Sequence, residues 1–341
     1  MPSPSSPEAA VAASQQARVE AFLVDAGIVS DVSDLTIEPL SGGVSSDIWL
    51  VSDGATDVVV KTPLQQLRVA ADWQAPLTRS DAEARWLATS SRLVPGICPD
   101  VLAYDADQHL LALSYLEPSD HEVWKTAMLH GDVVPDVAAQ VGTRLGLLHR
   151  LAAAEPALAE EFANEDLFRA LRIAPYFESL FDKHPDLVAQ ISAVIETTLA
   201  TRTTLVHGDV SPKNILVGPN GPVLLDAETA HWGDPAFDVA FCVNHLLLKC
   251  LLPEAPVGDL MEAAEQLLQG YRSASDADVA LETRVAHLLP LLMLARVDGR
   301  SPLEYLAEAQ RGLVREFAAA LILQPHSQIA AVFAAWKEVV R

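Results

Sequence analysis

The chain is short of cysteine, of positive charge and of aromatic residues. Cys98, Cys242 and Cys250 are the three cysteines in 341 residues; they are too scattered for a disulfide framework, and none forms a Cys-x-x-Cys metal or redox pair. Lys and Arg number 23 against 46 Asp and Glu, a formal charge of −23, which repels phosphates and argues against nucleic acid or an anionic membrane surface as partner. The opening residues, MPSPSSPEAA, lack a basic flank and a long apolar stretch, so no signal peptide is expected. The most apolar run, Pro235 to Leu252, is broken by Asp238, Asn244, His245 and Lys249 and does not read as a membrane span. A reduced, soluble, cytoplasmic protein is expected, as a monomer or homodimer.

Half of the residues are apolar and a fifth are charged, so there is ample material for a core. The length suggests two lobes around one cleft. Residues 1–16, rich in Pro, Ser and Ala, read as a disordered tail, and Val19, Phe22, Leu23 and Ala26 then recur at helical spacing. Strand signals follow at Leu35–Leu40, Asp47–Ser52 and Asp57–Lys61, the last two joined by an Asp53-Gly54 turn. A helix begins near Ser80-Asp81-Ala82-Glu83, and two further strands span Val101–Asp105 and His109–Leu116. The segment 17–116 therefore predicts a mostly antiparallel five-stranded sheet with one inserted helix.

Residues 117–341 change character and predict a larger, mainly helical lobe, with helices at Val137–Leu151, Leu187–Leu199, Pro235–Leu251, Leu260–Tyr271, Thr283–Arg296 and Pro302–Leu321. The fold class expected is α+β. One patch interrupts the helices: Leu205-Val206, Ile215–Val217 and Val223–Leu225 are β-type clusters separated by polar and Gly/Pro residues. It contains His207-Gly208-Asp209, Asn214 five residues after that aspartate, and Asp226 twelve further on. Such a set suits phosphoryl transfer from a Mg-nucleotide to a hydroxyl, which needs positioning and charge neutralisation more than covalent help. Asp209 is the carboxylate to take the hydroxyl proton. Asn214 and Asp226 offer the oxygen ligands that magnesium prefers, and Glu228 falls on the side of Asp226 if the strand persists.

The order H-G-D-x-x-x-x-N, then a D-x-E segment, then Gly233-Asp234-Pro235-Ala236-Phe237-Asp238 resembles the aminoglycoside phosphotransferase superfamily. That group includes choline, homoserine and methylthioribose kinases and shares the bilobal protein-kinase-like fold. The resemblance implies ATP and Mg2+ as cofactors, Asp209 as base, and Asn214 and Asp226 as metal ligands. It implies that Lys61 meets the nucleotide phosphates, held by Glu83, and that 17–116 is the nucleotide-binding lobe. Leu40-Ser41-Gly42-Gly43-Val44-Ser45-Ser46 would be the phosphate-covering turn, with Ser41, Gly42, Gly43 and Ser45 at the nucleotide. Ser114–Leu116 would be the adenine hinge. The adjacent glycines depart from the protein-kinase G-x-G-x-x-G, and Glu228 matches the methylthioribose-kinase-like D-x-E pattern, where many antibiotic kinases have glycine.

Blander readings stand beside these. Leu129-His130-Gly131-Asp132 repeats the tripeptide, with Val137 where the motif needs Asn, and reads as a loop feature. Lys61 could be a solvated strand-end lysine, although the chain has only six lysines. Ser80-x-x-Glu83 is also a capping box, in which the glutamate touches no lysine. Lys213 is a phosphate ligand or an exposed loop lysine. Asp234 reads as an N-cap, and the resemblance has Asp238 bracing the catalytic loop. His207 is placed to orient the loop rather than act as base, and His231 and Trp232 could border the acceptor or pack in the core. Arg296 and Asp298 are either a substrate-facing pair or a helix end and its turn. The function expected is phosphorylation of a small-molecule hydroxyl, most simply of a sugar or sugar-like alcohol. The alternatives are an aminoglycoside or amino-alcohol (choline, ethanolamine or homoserine type) kinase, and a catalytically inactive nucleotide-binding relative.

Overall fold

A run of three valines in the Asp57–Pro63 strand sets the architecture of the first part of the chain. A computed structural model describes residues 7–40, 45–66 and 75–341, and divides the chain into two compact units, Met1–Ala88 with Pro99–Glu117, and Thr89–Cys98 with Pro118–Arg341. In the first unit, helix α1 (Pro7–Asp25) precedes strands β1 (Thr36–Pro39), β2 (Ser46–Ser52) and β3 (Asp57–Pro63), helix α2 (Arg79–Leu93), and strands β4 (Val101–Asp105) and β5 (Leu110–Ser114). The sheet has the order β1-β2-β3-β5-β4, antiparallel throughout, with Val59 opposite Leu50 and Leu113. Period-two alternation turns Val58 and Val60 to one face, where they bury with Val51, Leu110 and Ala112 against Val19, Phe22 and Leu23 of α1. Lys61 belongs to the alternate set.

A helix corrects the expected disorder over residues 7–16: α1 starts at Pro7. Pro suits the first helical turn, where its missing N–H costs nothing, and the alanines that follow are strong helix formers. Residues 1–6 lie outside the described part.

In the second unit, β6 (Glu122–Val123), α3 (Trp124–Leu129), α4 (Pro135–Ala153), α5 (Leu158–Glu161) and α6 (Glu165–Phe168) lead into a nine-residue π-helical stretch, Arg169–Phe177, and a 3-10 turn, Glu178–Leu180. Then come α7 (Val188–Ala200), β7 (Thr204–Val206), β8 (Ile215–Gly218), β9 (Gly221–Leu224), β10 (His231–Gly233), α8 (Pro235–Lys249), α9 (Val257–Ala274), α10 (Val279–Asp298), α11 (Glu308–Leu323) and α12 (Ile329–Val339). Strands β6, β8 and β9 form one antiparallel sheet, and β10 pairs with β7. All fifteen residues of α8 are buried, polar ones included, so it runs through the core of this unit.

Helices α4 and α9 touch backbone to backbone. A Cβ on Gly142 would lie 2.0 Å from the Leu267 carbonyl oxygen, and one on Gly270 would lie 2.1 Å from that of Ala139. Helix α11 begins at Glu308, six residues later than Pro302, because the intervening chain bonds elsewhere: Leu303 N–H donates to Arg296 O at 2.8 Å, and the Leu303 and Leu306 carbonyls accept from the Arg311 guanidinium at 2.8 and 3.0 Å. Among the described residues, no helix is long and apolar enough to cross a membrane.

Candidate active site

In the first unit, Lys61 donates to Glu83 Oε1 at 2.5 Å, and both residues are buried. That contact decides between the two readings of Glu83: it holds the lysine, while Ser80 Oγ donates to Leu77 O at 3.0 Å. Ser41, Gly42 and Gly43 lie outside the described residues. Ser45 is described, and its carbonyl accepts from Leu64 N at 2.8 Å and Arg79 Nη2 at 2.6 Å. Arg79 is fully buried and also donates to the carbonyls of Ala75, Pro76 and Leu64. Sequence reasoning missed this clamp, although an arginine opening a helix is wrong for the helix dipole and so points to a tertiary role. Ser114 N–H is committed to Asp100 O at 3.0 Å, and its hydroxyl accepts from Asp100 N at 3.0 Å. Leu116, two residues past β5, has no backbone hydrogen bond among the described residues.

In the second unit, the chain leaves β7 and turns at Gly208, whose φ is +81° and where a Cβ would lie 2.4 Å from Thr229 Oγ1. Only glycine suits both conditions. The His207 and Gly208 N–H groups each donate to Asp238, at 2.7 Å. Asp238 has no solvent exposure and faces His149 Nε2 at 3.3 Å; His149 Nδ1 in turn lies 3.0 Å from the Tyr271 hydroxyl. Burial pushes the Asp238 carboxyl up, but the His149 hydrogen bond and neighbouring charges outweigh it, and its pKa ends lowered. His207 Nδ1 accepts from Asp209 N at 3.1 Å while Nε2 faces Leu225 O at 3.1 Å, which fixes the neutral tautomer protonated at Nε2. Burial lowers its pKa in agreement.

Asp209 is 5 % exposed, and its two oxygens differ. Oδ2 accepts from Asn214 Nδ2 at 2.9 Å and lies 3.0 Å from Arg172 Nη2 and 3.3 Å from Lys213 Nζ. Oδ1 makes no hydrogen bond among the described residues, which leaves it open to a proton. Asn214 Nδ2 also donates to Asp209 O at 3.1 Å, so the amide turns its Oδ1 away from that aspartate. Leu225 N–H donates to Asn214 O at 2.8 Å, which sets Asp226 beside Asn214 across the β8–β9 hairpin.

Asp226 has a φ of +68°, a strained conformation for a residue with a Cβ. Strand β9 ends at Leu224, so the alternation expected to carry Glu228 to the side of Asp226 does not operate. The two carboxylates still come together, through a turn: an oxygen of each lies within 4.8 Å of the other. Two carboxylates and an amide oxygen make a hard-donor set, which fits magnesium. Lys213 is half-exposed, and the nearby Asp209 carboxylate raises its pKa.

Arg172 was missed, and no sequence signal marks it. It donates to Gly208 O at 2.6 Å as well as pairing with Asp209, and it stands in the π-helical stretch, a form often found at functional sites. His231 and Trp232 are core residues: His231 stacks on Phe168 with centroids 3.9 Å apart, and Trp232 Nε1 donates to Arg202 O at 3.2 Å. Arg296 and Asp298 do not pair with each other. Asp298 takes Arg315 and His184, both at 2.9 Å, whereas Arg296 donates to Ser301 Oγ and the Tyr176 hydroxyl.

The profile of the phosphotransferase enzyme family matches residues 36–277. This chain belongs to that family. Among curated relatives, the methylthioribose kinase of Pectobacterium atrosepticum is 27% identical over 256 residues, 67% of this chain and 64% of the relative. The chain thus spans a little under two thirds of the length of such relatives. Solved structures share the protein-kinase-like fold: choline kinase from Cryptosporidium parvum Iowa II (TM-score 0.54, 14% identity, 86% of this chain and 92% of that one) and a choline/ethanolamine kinase family protein from Mesorhizobium loti (TM-score 0.51, 15% identity, 96% and 99%). Family members with such names act on different alcohols, so membership alone leaves the acceptor open.

Proposed function

We propose that the protein is an ATP- and magnesium-dependent kinase that phosphorylates a hydroxyl of a small molecule, a sugar or sugar-like alcohol. The observation that carries the reading is the asymmetry of Asp209: three donors hold Oδ2, and Oδ1 remains to accept a proton. In the transfer, the acceptor oxygen bonds to the γ-phosphorus as the bond to the β-phosphate oxygen breaks. The hydroxyl proton goes to Asp209 Oδ1, and ADP leaves. Asn214, Asp226 and Glu228 would hold magnesium, which neutralises phosphate charge when bound. Lys61, oriented by Glu83, meets the nucleotide phosphates, and the backbone at Leu116 is open to adenine. The Asp226-x-Glu228 pattern and the 27% identity to a methylthioribose kinase favour a sugar-like acceptor.

The test is an ADP-release assay over sugars, amino alcohols, amino acids and aminoglycosides, with Asp209→Asn as background. Turnover with a sugar-like alcohol that the variant loses is the expected result; full activity in Asp209→Asn ends the assignment. Asp226→Ala should abolish the MgATP-induced rise in melting temperature, and an unchanged rise removes that residue from the nucleotide site.

A further inference from the structure

Asp209 stands at the head of a run of cationic and aromatic side chains, of which the transfer step uses only Arg172. Arg172, already on Asp209, lies 5.8 Å from the centroid of the Tyr176 ring and 5.9 Å from that of Phe241. Arg296 covers the same Tyr176 ring at 5.8 Å and donates to its hydroxyl at 3.3 Å. From Phe241 the run continues along α8: the His245 ring is 5.4 Å away, and Lys249 follows four residues later on the same stripe. Lys249 Nζ lies 5.9 Å from the centroid of the Tyr305 ring. Phe241 and Lys249 are about 12 Å apart along the helix axis at a rise of ~1.5 Å per residue.

These groups are poorly satisfied by the protein itself. Lys249 is 2 % exposed and has no hydrogen-bond acceptor or carboxylate partner among the described residues. Arg296 Nε and the Tyr305 hydroxyl are buried without partners. A chain with twice as many acidic as basic residues could easily have supplied a counter-ion. An unpaired buried cation is costly, and buried polar groups normally find partners. Burial, with Lys125 adding repulsion, lowers Lys249 to about 8, so it is still cationic at neutral pH. His245, held well below its ordinary value by burial and by the surrounding cations, is a neutral hydrogen-bonding group.

We infer that the acceptor is an anionic polyol, whose reacting hydroxyl meets Asp209 and whose carboxylate or phosphate group is bound by Lys249 and Arg296, with Tyr305 completing its hydrogen bonds. The inference rests on the kinase reading above and names its substrate class. It turns away choline-like and aminoglycoside acceptors, whose positive charge this run of side chains repels.

The test uses the full chain with MgATP and matched acceptors: a pentose, its aldonate, its terminal phosphate ester and the corresponding amino alcohol. The aldonate or the phosphate ester should exceed the neutral sugar in kcat/KM by roughly tenfold or more, and the better of the two identifies the anion. Lys249→Met should collapse that ratio towards one, chiefly through KM, and raise the melting temperature by a few degrees as the unpaired ammonium goes; Lys249→Arg should keep the preference. If Lys249→Met does not fold, the acceptor comparison on the unmodified chain decides alone. A neutral sugar or an amino alcohol used as well as the anions overturns the inference and leaves the kinase reading standing. No acceptor-dependent ADP release above the Asp209→Asn background overturns both.

Discussion

His130-Gly131-Asp132 and His207-Gly208-Asp209 are the same three residues, with glycine in the same left-handed backbone conformation, φ +89° and +81°. Their fates differ through what their N–H groups bond. In the first copy, Gly131 N donates to Met128 O at 3.2 Å and Asp132 N to Ala127 O at 3.0 Å. These bonds close the end of α3 as a Schellman turn and leave Asp132 exposed. In the second, the His207 and Gly208 N–H groups reach a carboxylate some thirty residues away, and Asp209 is gripped by Arg172, Lys213 and Asn214. A tripeptide is therefore not a site. The braces that reach it from other elements make it one.

Substitutions at matched positions should widen or erase that contrast. The largest effect is expected at the aspartates: Asp209→Asn should cut turnover by roughly a hundred- to ten-thousandfold with MgATP binding retained by thermal shift, and Asp132→Asn should change neither. Next, Asp238→Ala should cost about 3 kcal/mol in denaturant unfolding, because it orphans two buried N–H groups and His149. A milder result would mean that the loop holds itself.

A third experiment uses pH. Burial depresses His231 to about 4. The unfolded chain therefore binds that proton more readily, so stability is complete above pH ~6.5 and drains as pH falls from there towards 4. His231→Phe should flatten this acid limb; an unaltered profile would place the sensitivity elsewhere. Gly131→Ala gives the smallest effect, and Gly208→Ala its sharpest contrast. Gly131→Ala meets nothing within 4 Å and should cost only the backbone strain, about 1 kcal/mol. Gly208→Ala collides with Thr229 and should lose activity as well as stability.

Much of the first unit was legible because sheets write themselves in short-range patterns. Val-rich runs and the Asp53-Gly54 turn gave the strands, and a strand lysine with a helix glutamate 22 residues later came together as expected. In the second unit, the spacing of Asp209, Asn214 and Asp226 was readable because one hairpin carries it. What brings Arg172 to Gly208, 36 residues on, is a π-helical stretch with no periodic signature, and His149 reaches Asp238 across 89 residues. Glu228 was placed near Asp226 for the wrong reason: the strand stops, and a turn does the work. Lys249 looked like a mere interruption of an apolar run, and only its burial made it conspicuous.

His149 belongs to α4 and Tyr271 to α9, the two helices whose main chains meet at Gly142 and Gly270. The seat of Asp238, and through it the bend before Asp209, is thus gauged by how near two helical backbones can come. One added methyl at Gly142, about two helical turns before His149, would act as a shim, and the reacting carboxylate would register its thickness without having been touched.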